Sequence, residues 1–350
     1  MHRPADLVLE AHPGTGPAWF LLLARVAGQI VRLPVVARWL PGARSLDAVT
    51  RSAGRVTVFS EPRPSPPARE GPLTVLSANL WHDWPRQQRW PQRLEAFAQL
   101  AEAEQADILL VQEAARTPGM SADLWLARRL GMAVAYARAN GDMEAIGFEE
   151  GPAVLSRFPL GEIHLRQLSH GHNPLARRVA LGAHVDTPHG RLLVVSAHLG
   201  LLQRHNAGQI RRLRSWVADV SAGEVAVIGG DFNAPEHRDE IGHTRRAWTD
   251  TFRHVHPLGE AVTHTRRMPW GGLLHRRLDY VFVQQPTTAP WQVLESCHLD
   301  APTGPHSDHR AVLARLRPVL GVQHGPIART TIGPADPAPP TGPASSRGLR

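Results

Sequence analysis

Residues able to do chemistry fall at the ends of apolar runs in this chain. Residues 225–228 form a short, mostly β-branched run of the kind buried on both faces of a sheet. Gly229 and Gly230 follow and are expected to end the strand and let the backbone bend. Asp231 and Asn233 come next. Side chains two apart on an extended chain share one side, so a carboxylate and an amide stand together at the mouth of a rigid strand. Such a pair suits a group that activates water beside a group that holds an oxyanion. Taken alone, the segment also fits an Asn/Asp turn after a strand.

The same pattern recurs along the chain. Asn79 ends the apolar run 73–80, and Glu113 follows the run 107–111. His198 ends the run 192–198, and Asp308 and His309 open the final run after Ser307. Asp279 sits within Arg277-Leu278-Asp279-Tyr280-Val281-Phe282-Val283, where its apolar neighbours predict burial. A buried carboxylate is costly without a partner, and a histidine is the natural one. Each residue has a structural reading as well: a cap neighbour for Glu113, a core histidine for His198, a turn residue for Asp308. Their joint recurrence at strand ends favours a site.

Helices are expected at 90–104, from Leu94, Phe97, Ala98 and Ala101, at 122–130, and at 201–220, from Ile210, Leu213, Trp216 and Val217. Strands are expected at 73–80, 107–111, 133–137, 153–155, 178–185, 192–198, 225–228, 262–265, 278–283 and 311–316. This order lacks the regular alternation of a doubly wound parallel sheet. Two packed sheets with helices outside fit better. Residues 1–60 read as a small leader, helical and then extended at 56–59. Residues 61–72 carry five prolines and read as a linker. The main domain spans 73–317, and 318–350 reads as a disordered tail rich in Pro and Gly.

At 350 residues, with 42% hydrophobic and 20% charged, the chain can bury a sizeable core. A formal charge of +8 favours anionic partners, nucleic acid or an anionic lipid surface. Arginine dominates the excess, and a GC-rich genome would produce the same bias. The single cysteine, Cys297, excludes an intramolecular disulfide and a thiolate zinc cluster. It fits a reducing, cytoplasmic setting. Residues 18–40 could form an amphipathic helix that packs on the main domain or lies on a membrane surface. A monomer is expected.

Seven segments carry a resemblance: Ser77-Ala78-Asn79-Leu80, Leu109-Leu110-Val111-Gln112-Glu113, Ala153-Val154-Leu155-Ser156-Arg157-Phe158-Pro159, Ser196-Ala197-His198-Leu199, Gly229-Gly230-Asp231-Phe232-Asn233, Arg277-Leu278-Asp279-Tyr280 and Ser307-Asp308-His309. Together they resemble the endonuclease/exonuclease/phosphatase superfamily of metal-dependent phosphoesterases. That group includes pancreatic-type deoxyribonucleases, abasic-site endonucleases, neutral sphingomyelinases and inositol polyphosphate phosphatases. The resemblance implies an α/β (α+β) fold, a four-layered sandwich of two packed mixed β-sheets flanked by helices, with the site at one edge of the sheets.

It also implies roles. Glu113 would be the main Mg²⁺ ligand, with Asn79 beside it and Asp308 on the same ion or a second one; Mn²⁺ would substitute. Asp231 would deprotonate the attacking water, and Asn233 would hold a phosphate oxygen. His309, oriented by Asp279, would contact the phosphate, and His198 would stabilise the transition state or assist the leaving group. Glu150 stands where related deoxyribonucleases place a glutamate partner for that histidine. Arg178 is a candidate phosphate contact, whereas Arg204 and Arg212 read as surface.

Two departures argue against abasic-site repair. Trp81 stands where those enzymes place a carboxylate, and His198 stands where they use a tyrosine. The expectation is therefore a Mg²⁺-dependent phosphodiester hydrolase, nuclease-like, with a phospholipid or small-molecule phosphodiesterase as the alternative. A non-catalytic phosphate-binding module is disfavoured because Glu113, Asp231 and His309 are all present. A histidine-rich zinc centre is disfavoured because no His pair at helical ligand spacing flanks a Glu.

Overall fold

The computed structural model describes residues 56–59, 71–84, 86–169, 177–286 and 290–319. The expected amphipathic helix at 18–40, most of the linker and nearly all of the tail lie outside these residues. In chain order the elements are β1 (Val56–Phe59), β2 (Leu73–Asn79), α1 (Trp90–Ala103), β3 (Ile108–Thr117), β4 (Met120–Ser121), α2 (Ala122–Leu130), β5 (Ala133–Ala137), β6 (Asn140–Asp142), α3 (Met143–Ile146), β7 (Phe148–Ser156) and β8 (Leu160–Gln167). There follow β9 (Val179–Thr187), β10 (Gly190–His198), α4 (Gln203–Ser221), β11 (Ala226–Asp231), α5 (Asp239–Ala247), β12 (Thr249–Asp250), α6 (Thr251–Val255), β13 (His264–Arg267), β14 (Leu273–Arg276), β15 (Asp279–Gln284), β16 (Trp291–Leu299) and β17 (Ala311–Pro318).

The strands form two large mixed sheets. The first runs β1-β5-β7-β3-β2-β17-β16, and the second runs β12-β15-β11-β10-β9-β8. Period-2 alternation sorts each strand onto two faces. On β2, Leu76 and Ala78 face α1 and α2, packing with Leu94, Phe97 and Leu126. Leu73 and Val75 face the other way, against Val194 of β10, Val227 of β11 and Val281 of β15. The outer face of the second sheet, with Leu193, Val195 and Ile228, packs on Ile210, Leu213 and Trp216 of α4. The layers are thus helix, sheet, sheet, helix, the expected sandwich. Local signals set the helix ends. Pro91 sits in the first turn of α1, where its missing N–H is harmless. Gly131 takes the left-handed position that closes α2, at φ 67°.

The structure departs from the sequence expectations in places. Residues 56–59, assigned to the leader, pair antiparallel with β5 and so join the first sheet. The run 153–155 is the inner part of the longer β7. β8, β16 and α5 carry no clear periodicity in the sequence because their faces are largely polar: α5 buries only Ile241 and Thr244, and β16 alternates irregularly.

The glycines of the opening segment have a different job from the one expected. They do not end the strand, which runs on to Asp231. They let neighbours approach. A Cβ on Gly229 would lie 2.7 Å from Leu110 Cδ1 and 2.9 Å from Ser77 Cβ on the opposing sheet. One on Gly230 would meet the Ala197 carbonyl of the adjacent strand. Gly229→Ala is therefore expected to destabilise the fold by about 1–3 kcal/mol through overpacking. It should also lower kcat, because Asp231 is two residues along the same strand face. Thermal melts and turnover numbers on the same preparation check both effects.

Candidate functional site

Alternation delivers the candidate residues to one place. The side chains that continue the inter-sheet face of each strand are Asn79 after Val75 and Ser77, His198 after Val194 and Ser196, and Asp231 after Val227 and Gly229. Asp279 begins the same face of β15, ahead of Val281. Registry then aligns three of them in a row across the second sheet, with His198 paired to Asp231 and Asp231 to Asp279. Beneath this row, Ser196 Oγ donates to the Val111 carbonyl at 2.7 Å and accepts from Gln112 Nε2 at 3.1 Å, tying the sheets together.

Asp231 is the hub. It is 2% exposed. Its Oδ1 accepts the Asn233 backbone N–H at 2.8 Å, and its Oδ2 accepts from Asn79 Nδ2 and Asn233 Nδ2, both at 3.2 Å. His198 Nε2 and His309 Nε2 lie 3.5 and 4.0 Å from the same oxygen. Burial, and then the charge of Asp279, raise the Asp231 pKa to about 7. Asn233 holds a left-handed backbone at φ 49°, which turns its amide back toward Asp231.

His309 and Asp279 form the pair that burial predicted. His309 Nδ1 lies 2.8 Å from Asp279 Oδ2. Burial opposes a charge on His309, but the Asp279 and Asp231 carboxylates outweigh it and raise its pKa to about 10. His198 goes the other way. Burial, with the charges of Arg178 and His309, holds it well below the usual histidine range, so its ring is neutral. Its Nε2 meets Asn233 Nδ2 at 3.2 Å.

Glu113 is not at a strand end as expected. β3 continues to Thr117, and Glu113 sits in a bulge where the β3–β7 register slips, with φ 55°. Such a bulge re-aims one side chain out of the ladder at modest strain. Glu113 Oε1 accepts from Asn79 Nδ2, and Oε2 from the His82 N–H, each at 3.2 Å. Asp308 stands near enough that, after burial, the charge of Glu113 contributes to raising its pKa. Glu113 and Asp308 thus offer two carboxylates near one another, while Asn79 turns its Nδ2 to Glu113 and its Oδ1 accepts the Trp81 N–H at 2.9 Å. Hard oxygen donors of this kind fit a divalent cation such as Mg²⁺.

Two supporting expectations resolve differently. Glu150 does not pair with His198: it hydrogen-bonds Asn140 Nδ2, and the buried His198 Nδ1 has no hydrogen-bond partner among the described residues. β6 pairs Asn140 directly opposite Glu150, so the amide reaches the carboxylate first. Arg178 lies near the site, where its charge acts on both His198 and Glu150. Sequence reasoning missed His82 and His264. His82 Nε2 is 3.5 Å from Glu113 Oε2. His264 sits 3.9 Å from Asp308 Oδ2, with its ring 4.5 Å from that of His309. With 20 histidines in the chain, neither stood out.

Residues 76–309 match the profile of the Endonuclease/Exonuclease/phosphatase family. The chain belongs to that family. Its members are generally hydrolases of phosphoester bonds and generally use divalent metal ions. A stretch of 95 residues is 34% identical to the uncharacterized protein YbhP of Escherichia coli strain K12, spanning 27% of this chain and 36% of YbhP. Among solved structures, an endonuclease/exonuclease/phosphatase family protein from Leptotrichia buccalis superposes with a TM-score of 0.58 at 14% identity, over 70% of this chain and 99% of that one. D. rerio TDP2, complexed with a single-strand DNA product, superposes with a TM-score of 0.56 at 15% identity, over 70% of this chain and 98% of that one. These structures support the family fold. No helix of the described residues is long and apolar enough to cross a membrane.

Proposed function

We propose that this family member is a Mg²⁺-dependent phosphodiesterase of nuclease type, with Asp231 as the base that activates water. The observation that carries the reading is the convergence on Asp231 of Asn79, Asn233, His198 and His309. A buried carboxylate held by two amides is oriented for proton abstraction. Water loses its proton to Asp231 as its oxygen bonds to phosphorus; the bond from phosphorus to the leaving oxygen breaks, and that oxygen departs with the electron pair and takes a proton from solvent water. His309, charged and fixed by Asp279, holds a non-bridging oxygen through Nε2–H. The Asn233 amide nitrogen is already engaged by Leu199 O at 2.9 Å and by Asp231, so this residue acts first by locking the base in place. His198 supplies a neutral polar wall. Glu113, Asn79 and Asp308 would hold Mg²⁺, which when bound offsets the negative charge of the phosphate.

The formal charge of +8 and the placement of Arg178 support a nucleic-acid substrate. Leu201 and Leu202, 76% and 64% exposed and just beyond His198, support the second reading, a phosphodiester on a lipid. A panel of DNA, RNA, sphingomyelin and bis-p-nitrophenyl phosphate, assayed with Mg²⁺ and with EDTA, separates these. Metal-dependent cleavage of DNA or RNA is expected. Preference for sphingomyelin would establish the lipid reading, and cleavage untouched by EDTA would overturn the proposal.

A further inference from the structure

A second cluster of metal-type ligands lies at the opposite end of the second sheet. Glu162 and His164 belong to β8, and His184 to β9; one donor atom from each lies within 4.8 Å of the others. His184 pairs in register with Leu193, five positions before His198 on β10. At about 3.4 Å per residue, that is roughly 17 Å from the Asp231 row.

The geometry is that of a small ion's cradle. His164 Nε2 is 3.2 Å from His184 Nδ1, with the rings 79° apart. Two nitrogens bound at about 2.0–2.1 Å to one tetrahedral ion stand about 3.3–3.4 Å apart. Glu162 Oε1 is 3.7 Å from His164 Nε2. Behind His184, Nε2 faces Glu224 Oε2 at 3.5 Å, and that buried oxygen has no hydrogen-bond partner among the described residues; Arg191 Nε stands off at 3.7 Å. A metal-bound histidine usually sends its second N–H to a carboxylate. A proton on Nε2, the nitrogen facing Glu224, would leave Nδ1 bare toward His164.

We propose that Glu162, His164 and His184 bind a divalent transition metal of the Zn²⁺ class, with Glu224 orienting His184, at a site separate from the Asp231 centre. Imidazole with carboxylate suits Zn²⁺ better than Mg²⁺. β8 is the edge strand of its sheet, and its register slips between Leu160 and Ile163, beside Glu162. An ion here pins that edge to β9, so its effect falls on stability and not on turnover.

The test uses full-length protein carrying Glu113→Gln, which weakens metal binding at the other centre. Calorimetric titration with ZnCl₂ should show one saturable ion per chain. The melting midpoint should rise by about 5 °C at roughly 100-fold the Kd. Co²⁺ should give the visible absorption of a tetrahedral complex. His164→Gln and Glu162→Gln, the second at a side chain 66% exposed and so without cost to the core, should each weaken Zn²⁺ binding at least tenfold. Glu224→Gln should weaken it by about 10–100-fold. In the otherwise native chain, His164→Gln should leave Mg²⁺-dependent hydrolysis unchanged. Absence of saturable Zn²⁺ binding, or binding unchanged by His164→Gln and Glu162→Gln, would overturn the proposal.

Discussion

Asp231→Asn is expected to lower kcat for phosphodiester hydrolysis by about 10²- to 10⁴-fold, the usual worth of a positioned general base. The substitution keeps the size of the side chain. With its carbonyl oxygen in the Oδ1 position the new side chain still accepts the Asn233 N–H, while Asn79 Nδ2 loses the acceptor it has at Oδ2. What disappears is the proton acceptor. The loss should therefore appear in kcat with KM little changed, because no substrate-binding donor is removed. The pH profile follows from the same residue. Burial and Asp279 raise its pKa to about 7, so the ionised, active form is lost as pH falls through that value. Positive charge at the Glu113 end would move the acid limb lower. Steady-state kinetics of both proteins against pH check this. A variant within threefold of wild type would remove Asp231 from its role.

Arg277→Met should have the largest effect on stability, about 3–5 kcal/mol. Arg277 is 3% exposed. Its Nη2 donates to Asp250 Oδ1 at 2.6 Å, and its Nη1 to Asp250 Oδ2 at 2.9 Å and Glu236 Oε2 at 3.0 Å. The guanidinium also lies over the Tyr280 ring at 4.4 Å. Methionine fills much of the volume but leaves Asp250, itself 5% exposed, without its main counter-charge. The expected fall in Tm is about 6–20 °C for a domain of this size. Adding Asp250→Asn to the variant should restore part of the loss, since it removes the stranded charge. A single variant as stable as wild type would show that the pair contributes nothing net.

Much of this site is legible because strand alternation is a strict rule. Asn79, His198 and Asp231 each close an apolar run and Asp279 lies at the start of one, so their gathering at strand ends is readable from the sequence, while the face they share is fixed by the register of the second sheet. The partner of Asp279 could be inferred too, from the cost of a lone buried carboxylate. Other features obey long-range geometry that no local pattern carries. The bulge at Glu113 depends on how β3 meets β7, well along the chain. Glu150 finds Asn140 because β6 folds back beside β7. Gly229 looks like a strand terminator until Leu110 and Ser77 arrive from the other sheet. His264 becomes a site residue only because an isolated bridge sets it against His309.

The roles assigned to Asp231 and its neighbours converge on one chemical event, water attacking phosphorus. Hydrolysis of bis-p-nitrophenyl phosphate by the wild-type protein in H₂¹⁸O, followed by mass spectrometry, reads that event directly. One ¹⁸O atom should appear in each p-nitrophenyl phosphate released, with none in p-nitrophenol and none in the protein. Label in the Asp231 carboxylate after a single turnover would make that residue a nucleophile, and label in p-nitrophenol would place the attack on carbon; either result would contradict the account.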